Sequence, residues 1–478
     1  MSLRKQPQTG FSVTLSPLRV AQGGRYFETF EGEPFLFIGA NDALTWPGLA
    51  PLFRRQDVGA VEAYLRGLKQ NGVTVLRLML EYAHGENRYF EKPVGRFVPN
   101  MVRLWDDLFD LCEAAGLRVL LAPWDNFWMS RRWAKHPYNR INGGPADTPG
   151  AFFTDEATVA ATIARFEFII ERYANRPVLA AWDLFNEIHP YWGGTPEEQG
   201  AVLARQSAAI RAAEMRVQGW TRPQTVSIFG PKPENGYEDL IFRHPSLDFC
   251  TTHIYYQGAI DLPRDTVSPA LSMAKWTRFG LEKTPQNRPF LDSEHGPIHL
   301  FNDHRRWLDE DFDAEYERHL MWAHLCSGGA GSGMRWPARH PHVLTAATQA
   351  EYLGLARFAA EIDWNRFAPR DFRGNISVSG PQSRAFHRFA VGDGQQFALF
   401  LLRRVPLSHR GLLPPLPCLE DLQLNVRGLQ SGRWRVTFFD PTGARVIETR
   451  DLDVSDRLKA VLPSWEHCLA LSARRLDG

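Results

Sequence analysis

The sequence predicts a (β/α)₈ barrel with an N-terminal strand segment and a C-terminal antiparallel β-sandwich. Three observations carry this reading. Eight short apolar runs alternate with longer amphipathic stretches between residues 35 and 370, the pattern of a parallel sheet with crossover helices. Neither G-x-G-x-x-G nor G-x-x-x-x-G-K-[ST] occurs in the chain, which disfavours a doubly wound nucleotide-binding sheet. Beyond residue 370 the period changes to two, with turn residues between the runs.

Taken in order, residues 11–34 read as short strands joined at Gly23-Gly24 and Glu31-Gly32 turns, a segment of its own over 1–34. The barrel strands are expected at Phe35–Gly39, Val73–Leu78, Arg118–Ala122, Val178–Leu184, Gln224–Ile228, Asp248–Thr252, Pro289–Asp292 and Gly329–Met334. Between and after them, helical periodicity covers Val58–Gln70, Pro99–Ala115, Thr154–Tyr173, Pro196–Val217, Pro269–Leu281, Asp311–Leu325 and Thr345–Ile362. The fifth connection offers only Tyr237–Phe242. In the tail, 371–478, strands are expected at Ala385–Val391, Gln396–Leu402, Asp421–Val426, Arg433–Phe439, Arg445–Thr449 and Cys468–Ser472. Trp434, Val436 and Phe438 alternate there and need a partner face. No paired carboxylates stand at those strand ends, so the tail is expected to support the barrel without turning over a substrate.

Composition narrows the partners. Fifty-five basic against 54 acidic residues leave no electrostatic reason for nucleic acid or an anionic membrane. The longest apolar runs fall far short of the roughly 20 residues that cross a bilayer. Basic residues open the chain but no apolar stretch follows them, so it is expected to be cytoplasmic, or secreted with its leader removed. Five scattered cysteines without C-x-x-C spacing argue against a disulfide framework or zinc, and all five read as small buried hydrophobes. The 15 tryptophans are the one unusual figure; aromatic faces bind flat apolar surfaces such as those of sugar rings, although buried packing is the plainer use.

In a barrel of this type the reactive groups stand at the carboxyl ends of strands. The fourth strand ends Trp182-Asp183-Leu184-Phe185-Asn186-Glu187 and the seventh Leu291-Asp292-Ser293-Glu294-His295. Strands four and seven face each other across the mouth, so the two glutamates can converge. Carboxyls about 5–5.5 Å apart suit double displacement at a glycosidic carbon. A single glutamate after a strand is more often a solvated loop carboxylate; the pair at these two strands is not so easily dismissed. H-x-H is absent from the end of strand one, where Asn41-Asp42 stands, so no metal is expected despite His340-Pro341-His342, His295 with His299, and Asp309-Glu310-Asp311. No G-x-S-x-G elbow and no cysteine with a partner base is present, and no cofactor is expected.

Asn186-Glu187, His253-Ile254-Tyr255 after strand six, Glu294, Arg77 in strand two and Trp336 after strand eight together resemble the signature of clan A glycoside hydrolases, family 5 and its relatives. The resemblance spans 35–340 and implies a retaining β-glycosidase acting on a β-linked carbohydrate, mannan or glucan being the types it suggests. It implies Glu187 as acid/base, Glu294 as nucleophile and Asn186 on the sugar 2-hydroxyl. Arg77 and Tyr255 would hold Glu294 ionised, His253 would sit near Glu187, and Trp336 would floor the sugar. The third strand departs from family 5, which commonly places a histidine there; this chain has Trp124-Asp125-Asn126-Phe127-Trp128. Trp124, Asn126, Trp128 and Trp133 in that loop, with His189, Tyr191 and Trp192 after strand four, are expected to wall sugar subsites. Each of these residues also has a plain packing reading. A carbohydrate-binding barrel without turnover and a metal-dependent barrel hydrolase are the rival readings.

Overall fold

Three short antiparallel strands, β1 (Leu18–Val20), β2 (Phe27–Thr29) and β3 (Pro34–Phe35), lead into the barrel. The computed structural model describes residues 15–82, 88–188, 193–256, 264–297, 308–337 and 343–476. His189, Tyr191, Trp192, His299, His340 and His342, together with the first residues of the chain, lie outside them. Phe27 packs its ring 4.7 Å from Phe37 and 5.2 Å from Phe249, where two barrel strands begin, so this small sheet plugs the amino-terminal mouth. The opposite mouth is left to the strand ends.

The eight barrel strands are β4 (Phe37–Asp42), β5 (Val75–Met79), β6 (Arg118–Ala122), β7 (Leu179–Asp183), β8 (Gln224–Thr225), β9 (Cys250–His253), β10 (Phe290–Glu294) and β11 (Gly331–Arg335). Every residue of these strands is buried, as expected for a parallel sheet covered on both faces. Six run in the order β11-β4-β5-β6-β7-β8, and β9 pairs with β10. Backbone bonds from Asp248 N–H to Gln224 O (2.9 Å) and His253 N–H to Ile228 O (3.0 Å) join β8 to β9. Ala330 N–H to Phe290 O (2.8 Å) and His295 N–H to Met334 O (3.2 Å) join β10 to β11 and close the barrel. β8 has two residues where five are expected; past Thr225, Ser227 N–H is shared between the Asp183 side chain (3.0 Å) and Phe185 O (3.3 Å) and the ladder becomes irregular. β10 runs on to Glu294 through a register irregularity after Asp292, which re-aims the strand end at the mouth.

The crossover helices are α1 (Val58–Gln70), α2 (Pro99–Ala115), the short α3 (Asn126–Arg131) in the third loop, α4 (Glu156–Arg172), α5 (Pro196–Gln218), α6 (Tyr237–Phe242), α7 (Ser268–Lys283), α8 (Glu310–Leu325) and α9 (Ala346–Ala359). Their ends follow local chemistry: Asp57 and Asp155 accept from backbone N–H groups, Thr195 and Glu198 form a capping box, and Gly116 closes α2 at φ +74°. None of the described helices is long and apolar enough to cross a membrane.

The tail forms a six-stranded antiparallel sheet, β12-β14-β15-β20-β17-β18, facing a three-stranded one, β13-β16-β19. In chain order these are β12 (Arg370–Asp371), β13 (Ile376–Ser379), β14 (Phe386–Gly392), β15 (Gln396–Arg403), β16 (Gln423–Val426), β17 (Gly432–Asp440), β18 (Arg445–Val454), β19 (Leu458–Val461) and β20 (Cys468–Arg475). Period-2 alternation splits β15 between two cores: Phe397, Leu399 and Leu401 join Trp434, Val436 and Phe438 inside the sandwich, while Ala398, Phe400 and Leu402 join the barrel core. Trp322 of α8 stacks 5.6 Å from Phe400 and lies tilted 5.7 Å from Phe439, so α8 is buried on both sides, from Phe312 to Leu325. Four cysteines are buried as expected; Cys418, beside the Pro414-Pro415-Leu416-Pro417 loop, is exposed.

Candidate active site

Arg77 of β5 points into the barrel and is fully buried, so its charge must be met by fixed partners. Its guanidinium donates to Asp183 Oδ2 through Nη2 (2.7 Å) and Nε (3.1 Å), to Asn41 Oδ1 (2.8 Å), to Asn186 Oδ1 (2.6 Å) and to Glu294 Oε2 (2.9 Å). One cation thereby ties together the ends of β4, β5, β7 and β10. Asn41 Nδ2 in turn donates to the carbonyls of Ser293 (3.1 Å) and Met334 (2.9 Å), fixing the backbone just before Glu294.

Glu187 sits at φ +55°, a left-handed conformation that costs a non-glycine residue about 1 kcal/mol or more. Two hydrogen bonds hold it there: its N–H donates to Ser227 Oγ (3.1 Å) and Asn126 Nδ2 donates to its carbonyl (3.2 Å). The side chain so aimed meets His253 Nδ1 at 2.7 Å through Oε1. Glu294 receives Tyr255 OH on Oε1 (2.5 Å) and Arg77 on Oε2. Ligand atoms of Glu187, His253 and Glu294 all lie within 4.8 Å of one another. The Glu187 side chain is 17% exposed against 7% for Glu294, leaving Glu187 the more accessible to a leaving group and water.

The two carboxyls differ in electrostatic support. Burial pushes Glu187 up to about 7; Arg77 pulls it down, and Asp183 pushes it up further. Burial raises Glu294 and the neighbouring Glu187 carboxylate adds to this, while Arg77 and the Tyr255 hydroxyl favour its anion. With an arginine and a phenol donating directly, Glu294 is the better-stabilised carboxylate of the pair. His253 is driven down by burial and stays a neutral ring.

Around this pair lies an aromatic wall: Trp46, Tyr82, Tyr255 and Trp336 are buried in one cluster with Trp128 and Phe229 against it. Trp336 meets Trp46 edge to face at 4.9 Å and Tyr82 at 5.1 Å, and Tyr82 meets Trp128 at 5.5 Å. Trp124 is buried beneath the third loop, its ring 4.1 Å from the Arg165 guanidinium and packed on Tyr138 and Phe152. Trp133 stacks on His136, farther out. Arg77, Asn186, Glu187, His253, Tyr255, Glu294 and Trp336 are thus gathered at one mouth, with Asn126 and Trp128 beside them. His189 and Trp192 lie outside the described residues.

Sequence reasoning passed over Asn41, Asp183, Ser227, Asp125, Trp46 and Tyr82. Asp183 carried a usable signal: a lone charge in the apolar run Val178–Leu184 must point at a partner. Glu187, His253 and Glu294 also offer a donor set of a kind that can hold a divalent cation. Arg77 and Tyr255 already occupy the Glu294 oxygens, so the set fits paired acid and nucleophile better than a metal.

No protein-family model matches the chain, and no curated protein matches it. Solved structures do. A structure described as a glycoside hydrolase is similar over 97% of this chain and 98% of its own, with TM-score 0.61 and 13% identity. A glycoside hydrolase family 5 structure from Bacteroides vulgatus ATCC 8482 covers 96% and 93%, with TM-score 0.63 and 12% identity. The endo-β-1,4-mannanase from Thermotoga petrophila covers 91% and 97%, with TM-score 0.50 and 15% identity. At these identities the likeness establishes the fold, which is that of family 5 glycoside hydrolase structures from end to end.

Proposed function

We propose that the chain is a retaining β-glycoside hydrolase of the family 5 type, acting on a β-linked oligo- or polysaccharide. The observation that carries this reading is the convergence of Glu187 and Glu294, one oxygen of each lying within 4.8 Å of the other, the close approach that double displacement needs. The mannanase likeness favours a mannan over a glucan as substrate. Residues 35–370 carry the reaction, and 371–478 brace α8 through Trp322.

In the first step Glu294 attacks the anomeric carbon while Glu187 protonates the departing oxygen, giving a glycosyl ester on Glu294. In the second, Glu187, now ionised, takes a proton from water as it displaces Glu294. Asn186 gives one N–H to Asp125 (3.0 Å), leaving its other N–H for the sugar 2-hydroxyl, a bond that tightens as the ring flattens. Trp336 supplies an apolar floor, Tyr255 and Arg77 hold the nucleophile's two oxygens apart and ionised, and His253 orients the acid.

The reading is tested by following hydrolysis of β-mannosides and β-glucosides by NMR. The first-formed sugar should be the β-anomer, and chelator should leave the rate unchanged. An α-anomer product would exclude double displacement, and loss of activity in chelator would favour a cation on Glu187, His253 and Glu294.

A second expectation concerns pH. Glu187 must be protonated to act as acid and its pKa is raised to about 7, so it keeps its proton up to neutrality and loses it above. For an unactivated substrate kcat/KM should therefore fall about tenfold per pH unit above roughly 7. An acid limb should mark protonation of Glu294. With an aryl glycoside whose leaving group needs no proton the alkaline limb of kcat/KM should flatten. Identical alkaline limbs for both substrates would remove Glu187 from the acid role.

A further inference from the structure

Behind Glu294, between the barrel wall and α8, lies a second ionic cluster that the proposed reaction leaves unused. His295, the residue after Glu294, is fully buried there. Its Nδ1 stands 2.6 Å from Asp292 Oδ2 and its Nε2 3.3 Å from Glu317 Oε2. Both acids are held as anions by further donors. Glu317 takes Arg335 Nη1 at 2.9 Å and the Tyr352 hydroxyl at 3.0 Å, and Asp292 Oδ1 takes the Ile254 N–H at 2.9 Å. Arg335 also pairs with Asp313. The remaining ring nearby, His324, accepts the Asp292 N–H through Nε2 and donates to Gly331 O through Nδ1, so it is neutral. A ring that faces an anion through each nitrogen carries a proton on both. Burial opposes that charge, but Asp292 and Glu317 outweigh it and hold His295 up to about 9. Gly333 makes the room: a Cβ there would stand 2.9 Å from Asp292 Oδ2 and 3.2 Å from the His295 ring.

The carboxylate gripped in this way reaches the site. Ile254, whose N–H is shared between Asp292 and the Glu294 carbonyl (2.9 Å), stands between His253 and Tyr255. The Tyr255 hydroxyl is the donor to Glu294 Oε1. We propose that His295 is a positioning residue: as an imidazolium it locks Asp292 through Nδ1, Asp292 holds the backbone between His253 and Tyr255, and Tyr255 is thereby kept on the nucleophile. The inference deepens the glycosidase reading and takes its kinetic consequence from it, but the lock is also read in the titration of Glu294, which needs no turnover.

Two substitutions separate the ring's two bonds. In His295→Asn the amide falls near Nδ1 and keeps a donor for Asp292; in His295→Gln it falls near Nε2 and keeps one for Glu317 only. NMR of the full chain carrying isotope-labelled glutamate follows the carboxyls, and the signal lost in Glu294→Gln identifies Glu294. In His295→Gln its titration should rise by about one pH unit, because a loosened Tyr255 supports the anion less. The acid limb of kcat/KM should rise with it, the optimum falling about 10- to 100-fold, while the alkaline limb set by Glu187 stays in place. His295→Asn should titrate and turn over nearer the parent, although it leaves the larger cavity and melts lower. Loss of packing alone gives the reverse order. A glutamine variant closer to the parent than the asparagine variant, or a Glu294 titration unmoved in both, therefore overturns the assignment. If neither variant folds, the parent decides: at about pH 8, where ordinary histidines are neutral, labelled histidine should still show one ring with both nitrogens protonated, and its absence overturns the lock. If Glu294 follows the expected order but no glycoside is hydrolysed by the parent, the glycosidase reading fails and the His295 assignment stands.

Discussion

Glu294→Ala should abolish turnover, with kcat falling on the order of 10⁵-fold whatever the leaving group, the scale on which deleting a covalent nucleophile acts. The substitution also reaches Arg77. Its buried charge is shared between Asp183 and Glu294, and the alanine variant leaves it with Asp183 alone and the Tyr255 hydroxyl without its acceptor. A loss of stability therefore accompanies the loss of chemistry, and the two must be separated. Glu294→Gln does so: its amide oxygen still accepts from Arg77 and the volume is unchanged, yet it cannot form the glycosyl ester. The glutamine variant should melt nearer the parent while remaining as inactive as the alanine variant. In the parent, a 2-fluoro glycoside with a good leaving group should esterify Glu294, because fluorine at C2 slows hydrolysis of the intermediate. Peptide mapping that placed the label elsewhere would remove Glu294 from the nucleophile role.

How far the site can be read without coordinates depends on how local each signal is. Barrel strands such as Arg118–Ala122 announce themselves as apolar runs because both faces are covered, and α1 and α2 lie at their sequence-predicted bounds. The alternation in β15 reveals a strand but not that its two faces serve different cores, since partners on α8 lie far off in sequence. The Arg77–Asp183 pair is 106 residues apart and exists only because the barrel brings β5 and β7 to the same interior. Trp124 carries a second, distant contact: Arg165 of α4, paired with Glu81, reaches under the loop to 4.1 Å from its ring, while Trp124 also lines the small cavity beside that loop. Nothing near Trp124 in the sequence announces that arginine.

Replacing Glu187 with Ala should divide substrates by leaving group. The lost proton donor is worth about 10²–10⁴-fold to a poor leaving group and nothing to an activated aryl glycoside, whose phenolate departs unaided. Glycosylation of Glu294 should therefore persist with the aryl substrate, and the next step should stall because no base remains to activate water. The expected record is a burst of phenol followed by a slow steady state, with KM falling as the intermediate accumulates. Azide is already an anion and fits the space vacated by the side chain, so it should restore turnover and yield a β-glycosyl azide. Position 187 supports this test structurally: alanine tolerates φ +55° no worse than glutamate, and the bonds to Ser227 and Asn126 come from backbone atoms that the substitution keeps. The cost falls on His253, whose Nδ1 loses its 2.7 Å partner, and a neutral ring bears that loss better than a charged one would. Glu187→Gln, which retains a polar group opposite His253, should show the same dependence on leaving group with weaker azide rescue, because the site stays filled. An α-glycosyl azide, or equal losses on activated and unactivated substrates, would falsify the acid/base role of Glu187.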